Sequence, residues 1–329
     1  MKTKVLYVLV SSENDVYLEQ AYVSISSLRF HMGDNVEVNL LVDNITFAGL
    51  IGKRKLMVKE VDNIITVELD SSFSPQNKSR ILKTTCRNYI KGDFFFIDCD
   101  TLITKSLAYI KVPDADIAAC YDAHTLFFEN PYRDMCIKHG NKIGVDFSKQ
   151  NEYFNSGVLF VKESCTSYSF FENWNKNWFK GRNNGVSMDQ PAFNKTNIEM
   201  GYPVKRLEEI CNCQLIHGIR FLKDAIIVHY LCTNITAKDN AEPFILRDAD
   251  VLYEIKEKLR LPEKVIECFT DVFKGIPNFT TLVSGKNNFI IRSDCYYLLS
   301  RLYGNSVYNL INNFCKVINR LCKKKLKKK

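Results

Sequence analysis

The stretch KGDFFFIDCDTLITKSL, residues 91–107, runs three phenylalanines and an isoleucine straight into Asp98 and Asp100. The apolar run reads as a buried strand over 93–98. Two carboxylates one residue apart repel each other and resist burial, so a metal ion or a phosphate-handling site has to offset the cost. Side chains at i and i+2 of a strand point to the same side, which lets both carboxylates face one site. Hard divalent cations such as Mg2+ or Mn2+ take oxygen ligands and complete their shell with substrate phosphates. Two solvated loop acids at a strand end are the plain alternative.

Working outward, strand-like and helix-like segments alternate. KVLYVLVSS (4–12) is a buried strand, and 15–32 carries Leu18, Ala21, Tyr22, Ile25, Leu28 and Met32 at helical spacing. VEVNLLVD (36–43) and NIITVEL (63–69) are further strands, followed by a charged helix over 76–91 with Arg80, Lys83 and Arg87. DIAACYD (116–122), EYFNSGVLFVK (152–162, opened by an Asn-Ser-Gly turn) and AIIVHYL (225–231, interrupted by His229) complete the strand set. DQPAFN (189–194) begins a helix, with Asp189 as N-cap and Pro191 in the first turn. This alternation predicts an α/β domain with a mainly parallel central sheet, whose ligands bind beyond the carboxyl ends of the strands. After 242 only helical patterns remain. The expected division is a catalytic domain over 1–242, a helical extension over 243–304 and a basic tail over 305–329.

With 46% hydrophobic and 25% charged residues, the 329-residue chain has the composition of a soluble globular protein. Its whole net charge of +8 sits in Lys316, Arg320, Lys323, Lys324, Lys325, Lys327, Lys328 and Lys329. The remainder is neutral, so no nucleic-acid-binding surface is expected on the core. In the tail, Val307, Leu310, Ile311, Phe314, Val317, Ile318 and Leu321 recur at helical spacing. A basic amphipathic helix of this kind suits an anionic membrane surface. The twelve cysteines are too scattered for a disulfide framework. Cys211 and Cys213 near His217 form only a weak zinc signal. The apolar run at the N-terminus is short for a signal peptide and too short for a membrane span. The expected location is cytoplasmic, peripheral to the inner face of the membrane.

FFFIDCDTLI, YFNSGVLFV, MDQPAFN and IVHY, in this order and at this spacing, resemble glycosyltransferase family 8, which has the GT-A fold, a Rossmann-like α/β domain. The resemblance covers roughly residues 4–231. It implies a nucleotide-sugar donor whose diphosphate is held by Mn2+ (or Mg2+) on Asp98, Asp100 and His229. It further implies that Asn155, Asp189 and Gln190 lie at the donor sugar, that Arg80 helps to hold the donor, and that Asn14 and Asp15 line the nucleotide loop. The implied donor is UDP-galactose or UDP-glucose, and the acceptor a glycan, free or on a lipid carrier. Transfer with retention of anomeric configuration by a front-face reaction, with Gln190 steadying the positive sugar, follows from the same resemblance. Each residue also has an ordinary reading: a core histidine, a turn asparagine, a helix cap, an exposed helix arginine.

One segment departs from the family. The usual His-x-x-Gly-x-x-Lys-Pro-Trp is here HYLCTNITAKDNAEPF, with no Gly at the third step after His229 and Lys238 nine residues on. Either Lys238 reaches the phosphates through a longer loop or that contact is absent. Two other functions compete. Phosphatases of the haloacid-dehalogenase type also place Asp-x-Asp after an apolar strand, but with Thr or Val where this chain has Leu102. A transferase domain that binds a sugar nucleotide without turnover is the non-enzymatic alternative.

Overall fold

The computed structural model describes residues 2–215, 217–231, 244–276 and 293–326. Its strands are β1 (Thr3–Leu9), β2 (Val36–Asp43), β3 (Asn63–Val67), β4 (Phe94–Ile97) and β5 (Thr101–Ile103). They continue as β6 (Ile117–Tyr121), β7 (Phe154–Val161), β8 (Val204–Arg206), β9 (Cys213–Gln214) and β10 (Ile227–His229). Seven of them form one sheet in the order β3-β2-β1-β4-β7-β6-β8. β1 runs parallel to both β2 and β4, and only β7 is antiparallel to its neighbours. The sheet is therefore mainly parallel, as the alternation of elements predicts.

The three phenylalanines are explained by their position. β4 is an interior strand, and parallel strands of this kind are buried on both faces, so they read as continuous apolar runs. Phe95 and Ile97 join the core that holds Val5, Tyr7 and Leu9 of β1 and Leu18, Ile25 and Leu28 of helix α1 (Tyr17–Met32). Phe94 and Phe96 point to the opposite core, built with Leu6 of β1 and with residues from three helices of that face. Those helices, taken in chain order below, contribute Ile81 and Leu82, then Trp174 and Trp178, then Phe193.

After β2 come two short helices, α2 (Asn44–Ala48) and α3 (Gly52–Met57), and after β3 comes α4 (Pro75–Thr85). The helix expected over 76–91 thus ends at Thr85 and continues as a 3-10 turn, Cys86–Asn88. α5 (Arg133–Ile143) lies between β6 and β7, and α6 (Cys165–Asn183) and α7 (Gln190–Glu199) lie between β7 and β8. Asn155, Ser156 and Gly157 belong to β7 itself, not to a turn before it. Asp98 and Asp100 lie past the end of β4, in the turn into β5, so the turn and not strand alternation brings them together.

The path of the chain creates the crevice. It moves from β1 outward through β2 to β3, then returns to the other side of β1 as β4. Loops after β1 and after β4 leave the same edge of adjacent parallel strands, the switch point where α/β sheets bind ligands. A second, three-stranded sheet, β5-β10-β9, begins directly at the aspartate turn.

The chain divides into two compact units, Met1–Pro277 and Asn278–Lys329. Helix α8 (Ala249–Lys258) follows the loss of strands at 242, yet its Leu252 and Ile255 are fully buried in the core that contains α1. In the second unit, helices Asp294–Leu302 and Ser306–Leu326 are described. Val307, Leu310, Phe314, Val317 and Ile318 are exposed there. Among the described residues, no helix is long and apolar enough to cross a membrane.

Candidate active site

Antiparallel pairing of β10 with β5 sets His229 opposite Thr101, one residue from Asp100. His229 Nε2 lies 3.2 Å from Asp100 Oδ1, and ligand atoms of Asp98, Asp100 and His229 all fall within 4.8 Å of one another. Among the described residues this is the one such cluster of metal-ligating side chains. Close approach of His229 depends on Gly157. A Cβ at that position would stand 2.3 Å from His229 Cε1. The backbone also fixes Asp98, whose N–H donates to Gly157 O at 2.8 Å.

Backbone hydrogen bonding further determines which imidazole nitrogen faces the aspartates with a lone pair. Gly157 N–H donates to Asn155 Oδ1 (2.9 Å), so that atom is an acceptor. Asn212 Nδ2 donates to the same oxygen (3.0 Å), which turns Asn212 Oδ1 toward His229 Nδ1 at 3.1 Å. Nδ1 therefore carries a proton, and Nε2 meets the Asp100 carboxylate. Two oxygens flanking one imidazole demand either a second proton or a cation at Nε2. Burial by itself would lower the His229 pKa, but the charge of Asp100 and the bond to it outweigh burial and raise it. Two carboxylates and an imidazole oriented from behind by an amide oxygen fit a hard divalent cation such as Mn2+.

Next to this cluster lies the start of α7. Asp189 occupies the N-cap position expected of it, but its side chain does not cap the helix. Instead Arg80 Nε lies 2.9 Å from Oδ1, Ser156 Oγ donates to Oδ2 at 2.9 Å, and Lys83 Nζ lies 3.3 Å from Oδ2. Burial disfavours the charge, yet Lys83, Arg80 and Ser156 hold the carboxyl well below its ordinary range. Arg80 and Lys83 stand three apart on α4, the spacing that puts two side chains on one helical face. Lys83 also reaches both Asp98 oxygens at 3.1 Å. The Trp174 indole donates to Asp189 O at 3.0 Å and fixes the backbone there to α6.

Gln190 Oε1 accepts from Asn155 Nδ2 at 3.2 Å, and the same amide donates to Asp122 Oδ1 at 3.2 Å. One continuous network thus runs from Asp100 through His229, Asn212 and Asn155 to Gln190 and Asp122. Asp122 follows β6 in a turn where Ala123 and His124 adopt left-handed φ values of 55° and 57°. Strain of this kind persists only where surrounding bonds over-determine the backbone. Gln214 supplies them, accepting from Ala123 N (2.9 Å) and donating its own backbone N–H to His124 Nε2 (2.8 Å).

The loop after β1 is bound from both sides. Asp15 accepts from Ser11 Oγ, Ser12 N and Tyr17 N within 3.1 Å, so its carboxylate shapes the loop. Asn14 is exposed. Arg54 donates to Ser12 O (2.6 Å), and Lys256 of α8 donates to Asp15 O (2.9 Å) and to Glu13 O. Lys238 lies outside the described residues. Cys213 Sγ is directed to Gly218 O and His217 Nε2 to the Tyr132 hydroxyl, so neither is assembled for zinc.

The profile of the nucleotide-diphospho-sugar transferase family matches residues 91–261, more than half of the chain, and spans the aspartate turn, α7 and β10. This chain is a nucleotide-diphospho-sugar transferase. No curated protein matches its sequence. Among solved structures the transferase is similar to mouse xyloside xylosyltransferase 1, at 16% identity and a TM-score of 0.46 over 70% of this chain and 98% of that one. It is also similar to galactosyltransferase LgtC, solved with donor and acceptor sugar analogues, at 16% identity and 0.49 over 80% and 99%. Glycosyltransferase GlyE of Streptococcus pneumoniae shows 16% identity and 0.47 over 85% and 66%. At these TM-scores the likenesses add nothing to the family assignment.

Of the nine site residues expected from sequence, Asp98, Asp100, His229, Asn155, Asp189, Gln190 and Arg80 share one hydrogen-bonded and ion-paired assembly, whereas Asn14 is exposed and the Asp15 carboxylate bonds within its own loop. The sequence reading had passed over Lys83, Asn212, Asp122 and the steric role of Gly157. Lys83 could have been found from its i+3 spacing to Arg80. Asn212 carries no comparable signal, because β9 reaches β10 only through tertiary pairing.

Proposed function

We propose that this transferase is of the family 8 type and moves a hexose, galactose or glucose, from a UDP-sugar to a glycan hydroxyl with retention of configuration. The observation that carries the proposal is the donor set Asp98, Asp100 and His229, with Nδ1 engaged by Asn212 and Nε2 turned to the Asp100 carboxylate, where a cation would take the place of a second proton. A bound Mn2+ or Mg2+ would supply electrostatic stabilisation for negative charge growing on the leaving diphosphate. Asn155, Asp189 and Gln190 would hold the donor sugar, with Gln190 steadying its positive charge. Both Asp189 oxygens are engaged, by Arg80 on one side and by Ser156 and Lys83 on the other. A carboxylate so committed is poorly placed to attack the sugar, which supports a front-face reaction without a covalent intermediate. Arg80 would assist the donor through Asp189, and Asn14 and Asp15 would border the nucleotide.

Calorimetric titration of UDP with and without Mn2+, for wild type and Asp100→Asn, tests the reading. The expected result is binding that requires Mn2+ and is lost in the variant. UDP binding that ignores both Mn2+ and the substitution overturns it, and an inverted linkage by proton NMR overturns retention.

We also propose that the C-terminal helix seats the enzyme on an anionic inner-membrane surface, where a lipid-linked glycan would be the acceptor. The exposed Val307, Leu310, Phe314, Val317 and Ile318 support this, as do the eight basic residues, each contributing about 1 kcal/mol near such a surface. Deletion of 305–329 is expected to abolish sedimentation with phosphatidylserine liposomes and to leave UDP binding intact. Unchanged sedimentation refutes the anchor.

A further inference from the structure

We infer that Lys83 is a positioning residue that couples the cation site to the donor-sugar carboxylate. The inference rests on the proposed roles of Asp98, Asp100 and His229 as a divalent-cation site and of Asp189 at the donor. Lys83 Nζ lies 3.1 Å from Asp98 Oδ1, 3.1 Å from Asp98 Oδ2 and 3.3 Å from Asp189 Oδ2. Its side chain is only 4% exposed, and the Phe96 ring lies 5.0 Å from the ammonium. A lysine ammonium is a point charge with three rotatable donors, so it can divide itself between two carboxylates in varying proportion.

Both Asp98 oxygens available to a divalent ion are the ones Lys83 holds. An ion on Asp98 therefore displaces the ammonium toward Asp189, and neutralising Asp189 returns it wholly to Asp98. Asp189 keeps Arg80 on Oδ1 and Ser156 on Oδ2 throughout, so it can accept or release the lysine without being stranded. Lys83 in this arrangement competes with the cation for Asp98 and reports the charge of Asp189 to it.

Two substitutions should then move cation affinity in opposite directions. In the full-length protein, free Mn2+ counted by electron paramagnetic resonance gives the dissociation constant without donor or acceptor. Lys83→Met removes the competitor and is expected to bind Mn2+ about tenfold more tightly, since one positive charge leaves the cation's immediate surroundings. Asp189→Asn frees Lys83 for Asp98 and is expected to bind Mn2+ several-fold more weakly, although Asp189 is not a ligand. A lysine that merely props the fold gives weaker or equal binding in Lys83→Met, and that result overturns the coupling. If circular dichroism shows Lys83→Met to be unfolded, Asp189→Asn decides, and unchanged or tighter binding there overturns the inference. Wild type that binds no Mn2+ overturns the cation site itself, whereas wild-type binding with unshifted variants overturns the role of Lys83 alone.

Discussion

Replacing Gly157 by alanine places a Cβ 2.3 Å from His229 Cε1, 2.8 Å from Nδ1 and 3.0 Å from Asn155 Oδ1. Carbon atoms prefer about 3.5–4.0 Å, so the imidazole must retreat by roughly 1 Å or more. It has little freedom to do so, because Nδ1 is tied to Asn212 and its backbone is paired to β5 and β9. Inserting a methyl into such a site costs about 1–3 kcal/mol. Gly→Ala at a roomy position with ordinary φ instead stabilises by about 0.4–1 kcal/mol, so the clash decides the sign. The net expectation for Gly157→Ala is a loss of about 1–2 kcal/mol, with Mn2+ binding severely weakened because a metal ligand tolerates only about 0.2 Å of displacement. In a His229→Ala background the obstructing ring is gone, and the same substitution should become neutral or stabilising. Urea unfolding of the four proteins in this double-mutant cycle, with Mn2+ binding of the two that retain His229, makes the measurement. An equal cost of Gly157→Ala in both backgrounds, or wild-type Mn2+ binding in the single variant, refutes the steric reasoning.

Asn212→Leu removes the acceptor that orients His229, and Mn2+ affinity should fall about 10–100-fold while the fold persists by circular dichroism. A second expectation concerns acid stability. His124 is buried and accepts from Gln214 N–H, and burial lowers its pKa from 6.5 to about 4. The unfolded chain binds that proton first as pH falls, so stability is full above about 6.5 and is lost progressively toward 4, by about 3 kcal/mol in all. His124→Gln keeps an acceptor but cannot titrate, and its urea-derived stability should decline less than wild type across this window; parallel curves refute the assignment.

Much of the architecture was written in local pattern. β2, β4, β6 and β7 lie within the apolar runs that suggested them and β1 starts one residue before its run, because strands buried in the sheet interior need continuous hydrophobic sequence. β3 lies within its run as a largely exposed edge strand. β5, β8 and β9 have no counterpart among the runs read from sequence, since strands of two or three residues have no period to detect. In the tail, Val307, Leu310, Phe314, Val317 and Ile318 of the expected stripe are exposed, Ile311 is half-buried, and the polar Asn309, Asn313 and Lys316 are exposed beside them.

Residue chemistry and spacing marked Asp98 and Asp100, since a strand that ends in two aspartates has to answer for their repulsion, whereas Asn155, Asp189, Gln190 and His229 were marked by the resemblance to family 8. Sequence could not tell that Asp189 engages Arg80 and Lys83 in place of its helix, or that Asn155, Ser156 and Gly157 continue the strand where a turn was expected at its opening. It could not place Asn212 behind His229, or show that Gly157 makes room for the ring. Those facts arise where β5, β10 and β9 form a separate sheet beside β4 and β7, bringing residues 98, 157, 212 and 229 within contact distance. Local sequence encodes which segments must be buried. Which side chains then meet across strands far apart in the chain is decided by pairing register, and register is a property of the assembled sheets.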